Sequence, residues 1–437
     1  MSRLPDKAKK VFSSQVIRGS AVLWVGTMAA NVSNYLFHLL MGRFLGPVNY
    51  GVLASVISLL YILMVPTTTI TVAVMKFTAE HAVEEAPGKT REMLVRLSKR
   101  LLIISAFLFV ILAALSPAIS SFLNISSVWP IIILSGMVLF GYVLPVNRGI
   151  LQGLQRFGSL SASLILETVI KLAIGITLVL AGFAVNGAVF GIVVAVFIAY
   201  AFSFWPLKDI LAAKGKGGVS LRALFQYSIP VFIALLCLSA YFSVDIMLVK
   251  HFLPAVEAGY YSGLSILGKI VVFASMAITG VMFPMVAQRH KAEEPHRHIL
   301  FSTLGLTTAV SGAIVAVYFI MPRFTISTLF GSKYLSVAPY MGFFGIAMLL
   351  LALSTALANY FLAIHKTKFL PILVGVVVLQ IGLLWFVHAS LTQIVAVMVG
   401  TMSLLFVSLV VYYLLAIGFK EAPPPEEPAS VSVAPEF

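Results

Sequence analysis

Charge and cysteine are what this chain has little of. Only 10% of its 437 residues are charged and only 15 are Asp or Glu, whereas 60% are hydrophobic. A soluble domain is about 25% charged and about half apolar, so a water-soluble globule is excluded. One cysteine, Cys237, excludes an intramolecular disulfide framework and a cysteine-based metal site. Enzyme signatures are missing too: there is no Walker lysine loop, no HExxH, no paired catalytic carboxylates and no long loop on which a membrane polymerase would build a site. The alternation of polar and apolar residues that marks a membrane β-barrel strand is absent. The basic opening MSRLPDKAKKVFSSQVIR lacks a small-residue cleavage site and leads into an apolar run too long for a signal peptide, which predicts a retained arm.

Long apolar runs are what the chain does have. They recur at about 17–44, 48–76, 99–123, 127–154, 157–182, 185–205, 222–250, 256–287, 299–322, 335–364, 368–389 and 391–417. A membrane crossing needs about 20 apolar residues, so the expectation is an all-α polytopic membrane protein with about 12 transmembrane helices. Of the 29 Lys and Arg residues, 23 fall in the termini and even-numbered connections, four in the odd-numbered ones, and Lys171 and Lys269 within spans. That bias predicts cytoplasmic N- and C-termini in the cell membrane, with anionic lipids as partners. The net charge of +14 is therefore a topological signal, and nucleic acid is not expected because the cationic loops are short and not interleaved with aromatics. The Pro- and Glu-rich end, EAPPPEEPASVSVAPEF, has almost nothing to bury and is expected to be disordered.

One internal match stands out. FLGPVNYGVLAS, from Phe44 to Ser55, aligns without gaps on FLPAVEAGYYSG, from Phe252 to Gly263, an offset of 208 positions. Each copy follows an odd-numbered helix and opens the next. The division this predicts is a basic arm at 1–16, a six-helix lobe at 17–205, a connector at 206–221, a second six-helix lobe at 222–417 and a tail at 418–437. Six crossings return the chain to the same side, so the lobes are related by a pseudo-two-fold axis along the membrane normal, with a path between them.

Ionisable groups inside spans are costly and mark candidate sites. Glu167 and Lys171, four apart, share a helical face and can neutralise each other, either as a structural bridge or as a pair opened by a charged substrate. Lys269 has no acid within four residues, so it needs Asp245, a substrate phosphate or helix-end carbonyls. Asp245 suits either proton or sodium coupling or pairing with a neighbouring base such as Lys250. Arg148 reads as a residue snorkelling to the boundary or as a basic entrance for phosphate. Thr27, Asn31, Asn34 and His38 fall within about 60° of one another on the first helix, facing a wet cavity or serving as interhelical glue. Pro66, followed by three threonines, predicts a kink in the second helix whose freed carbonyls the hydroxyls satisfy. No cofactor is expected. Transport without ATP hydrolysis in this chain is what remains.

The segment GRFLGPVNYGVLASVISLLYIL resembles the opening signature of the polysaccharide-transport branch of the multidrug/oligosaccharidyl-lipid/polysaccharide (MOP) exporter superfamily, the Wzx-type flippases. NRGILQGLQRFGSLSASLILETVIKL and FSVDIMLVKHFLPAVEAGYYSGLSILGKI are similar to that family as well. The resemblance implies two six-helix lobes in a V and translocation of polyprenyl-diphosphate-linked oligosaccharide, a cell-surface polysaccharide precursor, from the cytoplasmic to the outer leaflet by alternating access. It implies glycosyltransferases and a polymerase of the same pathway as partners. On that reading Lys171, Lys269 and Arg148 hold phosphate, Asn31, Asn34 and His38 face sugars, and Glu167 and Asp245 serve ion coupling or charge pairing. The lipid II flippases of the superfamily carry two further helices that this chain does not supply. The competing expectations are a cation-coupled multidrug exporter of the same superfamily, which would want an acid-rich cavity, a major-facilitator sugar carrier, and a membrane glycan polymerase or scaffold.

Overall fold

The computed structural model describes residues 6–213 and 221–418. The expected tail beyond 418 and part of the connector lie outside the described residues. Eight described helical segments are long and apolar enough to cross a membrane, and a pair bent by 40° makes a ninth. Two of the eight are double. Within the 63-residue segment Ala21–Val83, Gly46 adopts φ 69° and ψ 176° and Pro47 follows it. The chain turns back there: Tyr61 Oη lies 3.5 Å from His38 Nε2, whereas 23 residues of continuous helix would separate them by about 35 Å. Only glycine reaches that positive φ without a Cβ penalty, which explains the Leu-Gly-Pro turn. The 56-residue segment Phe157–Ala212 reverses at Gly182 and Ala184, so that Gly191 backs onto Gly175. With the shorter apolar helix Leu370–Phe386, the described residues make twelve crossings, in agreement with the apolar runs.

We number the crossings in chain order. The arms of Asp6–Leu63 on either side of Gly46 are α1 (6–45) and the start of α2, which continues as Val65–Val83. Then come α3 (Pro87–Ala114), α4 (Trp129–Gly141 with Leu144–Gly153), α5 (Phe157–Leu178) and α6 (Ala184–Ser203). The second lobe has α7 (Leu221–Tyr241 with Val244–Phe252), α8 (Ala255–Lys291), α9 (Arg297–Ile320), α10 (Ala338–Ala363), α11 (Leu370–Phe386) and α12 (Leu391–Tyr413). The expected break in α2 falls at Met64, with Pro66 in the first turn of the resumed helix, where its missing N–H costs nothing. The Thr67 hydroxyl donates to the Met64 carbonyl at 2.6 Å, satisfying one group freed by the break. In the short link from α2 to α3, Lys89 bonds Glu84 at 2.7 Å and holds that exposed carboxyl below its usual range.

The first half of the connector is packed rather than loose. Leu207 and Ile210 are buried in a cluster with α2, α3 and α4, Arg91 Nε donates to the Leu211 carbonyl at 2.8 Å, and Arg156 pairs with Asp209.

The two copies of the sequence repeat meet. A Cβ on Gly51 would stand 3.0 Å from Gly259 Cα, and one on Gly259 would collide with the Pro47 carbonyl. Gly51 and Gly259 are repeat-equivalent, so their contact puts the pseudo-two-fold axis between them. Without a hydrophobic driving force in lipid, helices associate through such close small-residue contacts and interhelical hydrogen bonds. Tyr50 of the first lobe packs edge-on against Phe330 and Tyr334 of the second, with ring centres 5.5 and 6.4 Å apart. All these contacts lie at the end of the bundle away from the termini, which is closed.

Candidate functional site

A cavity of about 800 Å³ runs between the lobes, bounded chiefly by α1, α2, α5 and α8. Its inner limit is set by His38, Tyr61 and Lys269, and it extends past Asn34 and Asn31 to Trp24 on α1 and Val281 on α8. Both helices run from the closed end toward the end bearing the termini, so the cavity occupies that half of the bundle. The stripe Thr27, Asn31, Asn34 and His38 lines it, because polar side chains three and four apart share one face. His38 is buried, with Nδ1 3.2 Å from Tyr50 Oη and Nε2 near Tyr61.

The cavity holds two lysines, one from each lobe. Lys171 on α5 donates to Asn34 Oδ1 on α1, and its ammonium sits 4.8 Å from the centre of the Phe37 ring. Lys269 on α8 is 2% exposed, and its ammonium has no hydrogen-bond partner among the described residues. It lies between the Tyr61 and Phe242 rings, 5.7 and 5.4 Å from their centres. Ring faces attract a cation but do not satisfy its three donors. A buried ammonium left in that condition is a ready site for an anion entering the cavity.

Three expectations need correction. Glu167 and Lys171 do not form the bridge that their spacing allows. Arg148 NH2 lies 2.6 Å from Glu167 Oε2 and also donates to Ser163, so the carboxylate is taken by a guanidinium from α4. A planar, permanently charged fork outcompetes a point-charge amine for such a pairing. Arg148 is therefore held by α5 and is not among the residues that line the cavity. Asp245 does not pair with Lys250. Its Oδ2 accepts from Tyr261 at 2.7 Å and from Ser265 at 3.5 Å, its Oδ1 is unpartnered among the described residues, and it interacts electrostatically with Lys269. It is fully buried beside the cavity, not in its wall. Lys250 instead reaches the Asn124 carbonyl at 3.1 Å.

The aromatic walls around Lys269 do not follow from its position in the sequence. Tyr61 is its repeat-equivalent, 208 positions earlier, so the repeat carries a signal for that contact. Phe242 sits at the break in α7, which only the fold reveals.

The family described as polysaccharide biosynthesis protein matches residues 16–290. The chain belongs to that family. Membership covers the first lobe and the start of the second, including both lysines, and agrees with the resemblance carried by the Leu-Gly-Pro turn. No curated protein sequence matches the chain. Among solved structures, an inward-facing multidrug resistance MATE family transporter of the MOP superfamily superposes with a TM-score of 0.76 at 12% identity, covering 88% of this chain and 93% of that one. The lipid II flippase MurJ in an inward closed conformation gives 0.69 at 13% identity, covering 91% and 87%. A MOP superfamily transporter from Pyrococcus furiosus, described as having a binding pocket of reverse polarity, gives 0.64 at 14% identity, covering 92% and 95%. This member of the polysaccharide biosynthesis family is thus a multi-pass membrane protein whose two-lobed fold is that of the MOP superfamily structures.

Proposed function

We propose that this protein is a flippase that carries polyprenyl-diphosphate-linked oligosaccharide from the cytoplasmic to the outer leaflet of the cell membrane, with both termini cytoplasmic, by rocking of its lobes. The observation that supports this most directly is the buried ammonium of Lys269, without a hydrogen-bond partner among the described residues, at the inner limit of an 800 Å³ cavity in a member of the polysaccharide biosynthesis family. A lipid diphosphate crossing a dry bilayer would face a prohibitive desolvation cost, and a cation in a water-filled path offsets it. Lys269 takes the diphosphate, Lys171 joins once it leaves Asn34, and Asn31, Asn34 and His38 face the sugars. Trp24, Met276 and Val281, all exposed, border the cavity between α1 and α8, which leaves the polyprenyl tail in lipid. Glycosyltransferases and a polymerase of the same pathway supply and consume the substrate.

Asp245 serves as the coupling group, since its Oδ1, without a hydrogen-bond partner among the described residues, can take a proton or a sodium ion within electrostatic reach of Lys269. Asp245→Asn is expected to abolish the dependence of transport on an imposed proton or sodium gradient, and unchanged dependence would remove it from that role. The function itself is tested in proteoliposomes loaded with a polyprenyl-diphosphate oligosaccharide, reading headgroup exposure to an added glycosidase. Exposure only when protein is present is expected. Efflux of a cationic dye with no glycolipid movement would favour the multidrug exporter instead.

A further inference from the structure

At the closed end, each lobe reaches across the interface in the same way. After α3 comes a short helix, Ser116–Phe122, and after α9 its counterpart, Pro322–Leu329. At the end of α1, Arg43 donates Nε to the Leu329 carbonyl at 3.0 Å and NH2 to the Thr328 carbonyl, while Tyr334 Oη donates back to the Gly42 carbonyl at 3.1 Å. At the end of α7, His251 Nδ1 donates to the Phe122 carbonyl at 2.5 Å and Lys250 Nζ to the Asn124 carbonyl at 3.1 Å. Asn124 Nδ2 donates back to the His251 carbonyl at 2.6 Å.

The two arrangements are one design used twice. His251 stands 208 positions after Arg43, the offset of the sequence repeat. In both, a basic side chain at the end of a lobe's first helix meets carbonyls at or just past the C-terminal end of the opposite lobe's short helix, and a residue of the segment that follows that helix returns a hydrogen bond to the donor helix's own carbonyl. Those carbonyls have no partner within their helix and carry the negative end of its dipole, so a cationic donor is the favoured match. The His251 ring also stacks on Phe122, with centres 4.4 Å apart.

We infer that these contacts form a paired latch holding the lobes closed at the end away from the termini, and that opening there requires both halves to release. This rests on the rocking motion proposed above and not on the identity of the substrate. The halves are not equally strong. Arg43 is exposed, so water can replace its carbonyl partners, whereas Lys250 is 2% exposed and cannot leave Asn124 without water entering or the lobe shifting.

The test reads lobe separation directly. Cys237, the sole cysteine, is replaced by Ala. Spin labels are placed at Val48 and Val256, repeat-equivalent and exposed at the closed end, and in a second sample at Glu80 and Gln288, exposed at the other end. The full chain is studied in nanodiscs with no substrate added. Arg43→Gln is expected to raise the ratio of open to closed distances at Val48–Val256 about threefold. Lys250→Met with His251→Gln should raise it about tenfold, and all three together about thirtyfold, since separated contacts add in free energy. The Glu80–Gln288 distance should shorten in step. Arg43→Lys and Lys250→Arg keep donors and should retain the parent distribution. A ratio within twofold of the parent after removal of both halves overturns the latch, as does an equal shift in the donor-keeping variants. Absence of glycolipid transport leaves these distances unaffected, so the two readings fail separately.

Discussion

Each lobe sends one lysine into the same cavity, and the two meet opposite circumstances. In the first lobe the charged groups near the cavity have partners: Arg148 holds Glu167 and Ser163, and Lys171 donates to Asn34 and rests on Phe37. In the second lobe, Asp245 leaves one oxygen free and Lys269 leaves all its donors free among the described residues. A saturated charge stabilises a fold, and an unsaturated one waits for a partner. On the proposed function the pseudo-symmetric halves divide the work, the first supplying rigid charge pairs and the second supplying the group a ligand completes.

The sharpest way to break this comparison is to remove Lys269. Lys269→Ala is expected to lower glycolipid translocation about 10- to 100-fold with folding intact, because a hydrogen bond to a charged group is worth about 1.5–3 kcal/mol and no hydrogen bond to Lys269 among the described residues is lost by the change. Initial rates in proteoliposomes, with size-exclusion profile and Tm as folding controls, measure this. Wild-type rates from a well-folded variant would refute the division. Lys171→Ala should cost less, about three- to tenfold, because a ligand gains that ammonium only after displacing Asn34. Asn34→Ala sharpens the contrast from the other side. With its partner gone, Lys171 becomes as available as Lys269, so glycolipid affinity should stay at or above the parent's while Lys171→Ala becomes the more damaging change in that background. An equal effect of Lys171→Ala with and without Asn34 would show that the Asn34 bond does not restrain it.

Much of the architecture is legible in the amino-acid order because bilayer physics leaves few alternatives. Apolar runs of about 20 residues can only be crossings, and the glycine of the Leu-Gly-Pro turn fits the left-handed conformation that the reversal between α1 and α2 demands. The repeat from Phe44 to Ser55 also points, through Gly51 and Gly259, to the contact on which the pseudo-two-fold axis lies. The charge pairings are less legible, for a physical reason. Spacing along one helix gives the neighbours at three and four positions, as with Glu167 and Lys171, but is silent about a competitor from another helix such as Arg148. Lys269 shows the same limit in reverse: the lack of a nearby acid is plain from the sequence, but the enclosing rings of Tyr61 and Phe242 depend on the α1–α2 reversal and the break in α7.

The corrected place of Arg148 gives the smallest predicted effects and the cleanest separation of structure from function. If Arg148 serves only to hold Glu167, then Arg148→Met strands a partly buried carboxylate and should lower stability by roughly 1–2 kcal/mol. That lies below the 3–5 kcal/mol typical of fully buried pairs, since the two side chains remain 16% and 24% exposed. Adding Glu167→Leu removes the stranded charge, and the double variant should recover most of the lost Tm, as apolar replacement of a whole ion pair is often near neutral. Transport should return with stability, to within about twofold of the parent. A double variant that is stable yet still slow would mean that Arg148 or Glu167 meets the substrate, and the first lobe's charges would then belong with Lys269 on the functional side of the comparison.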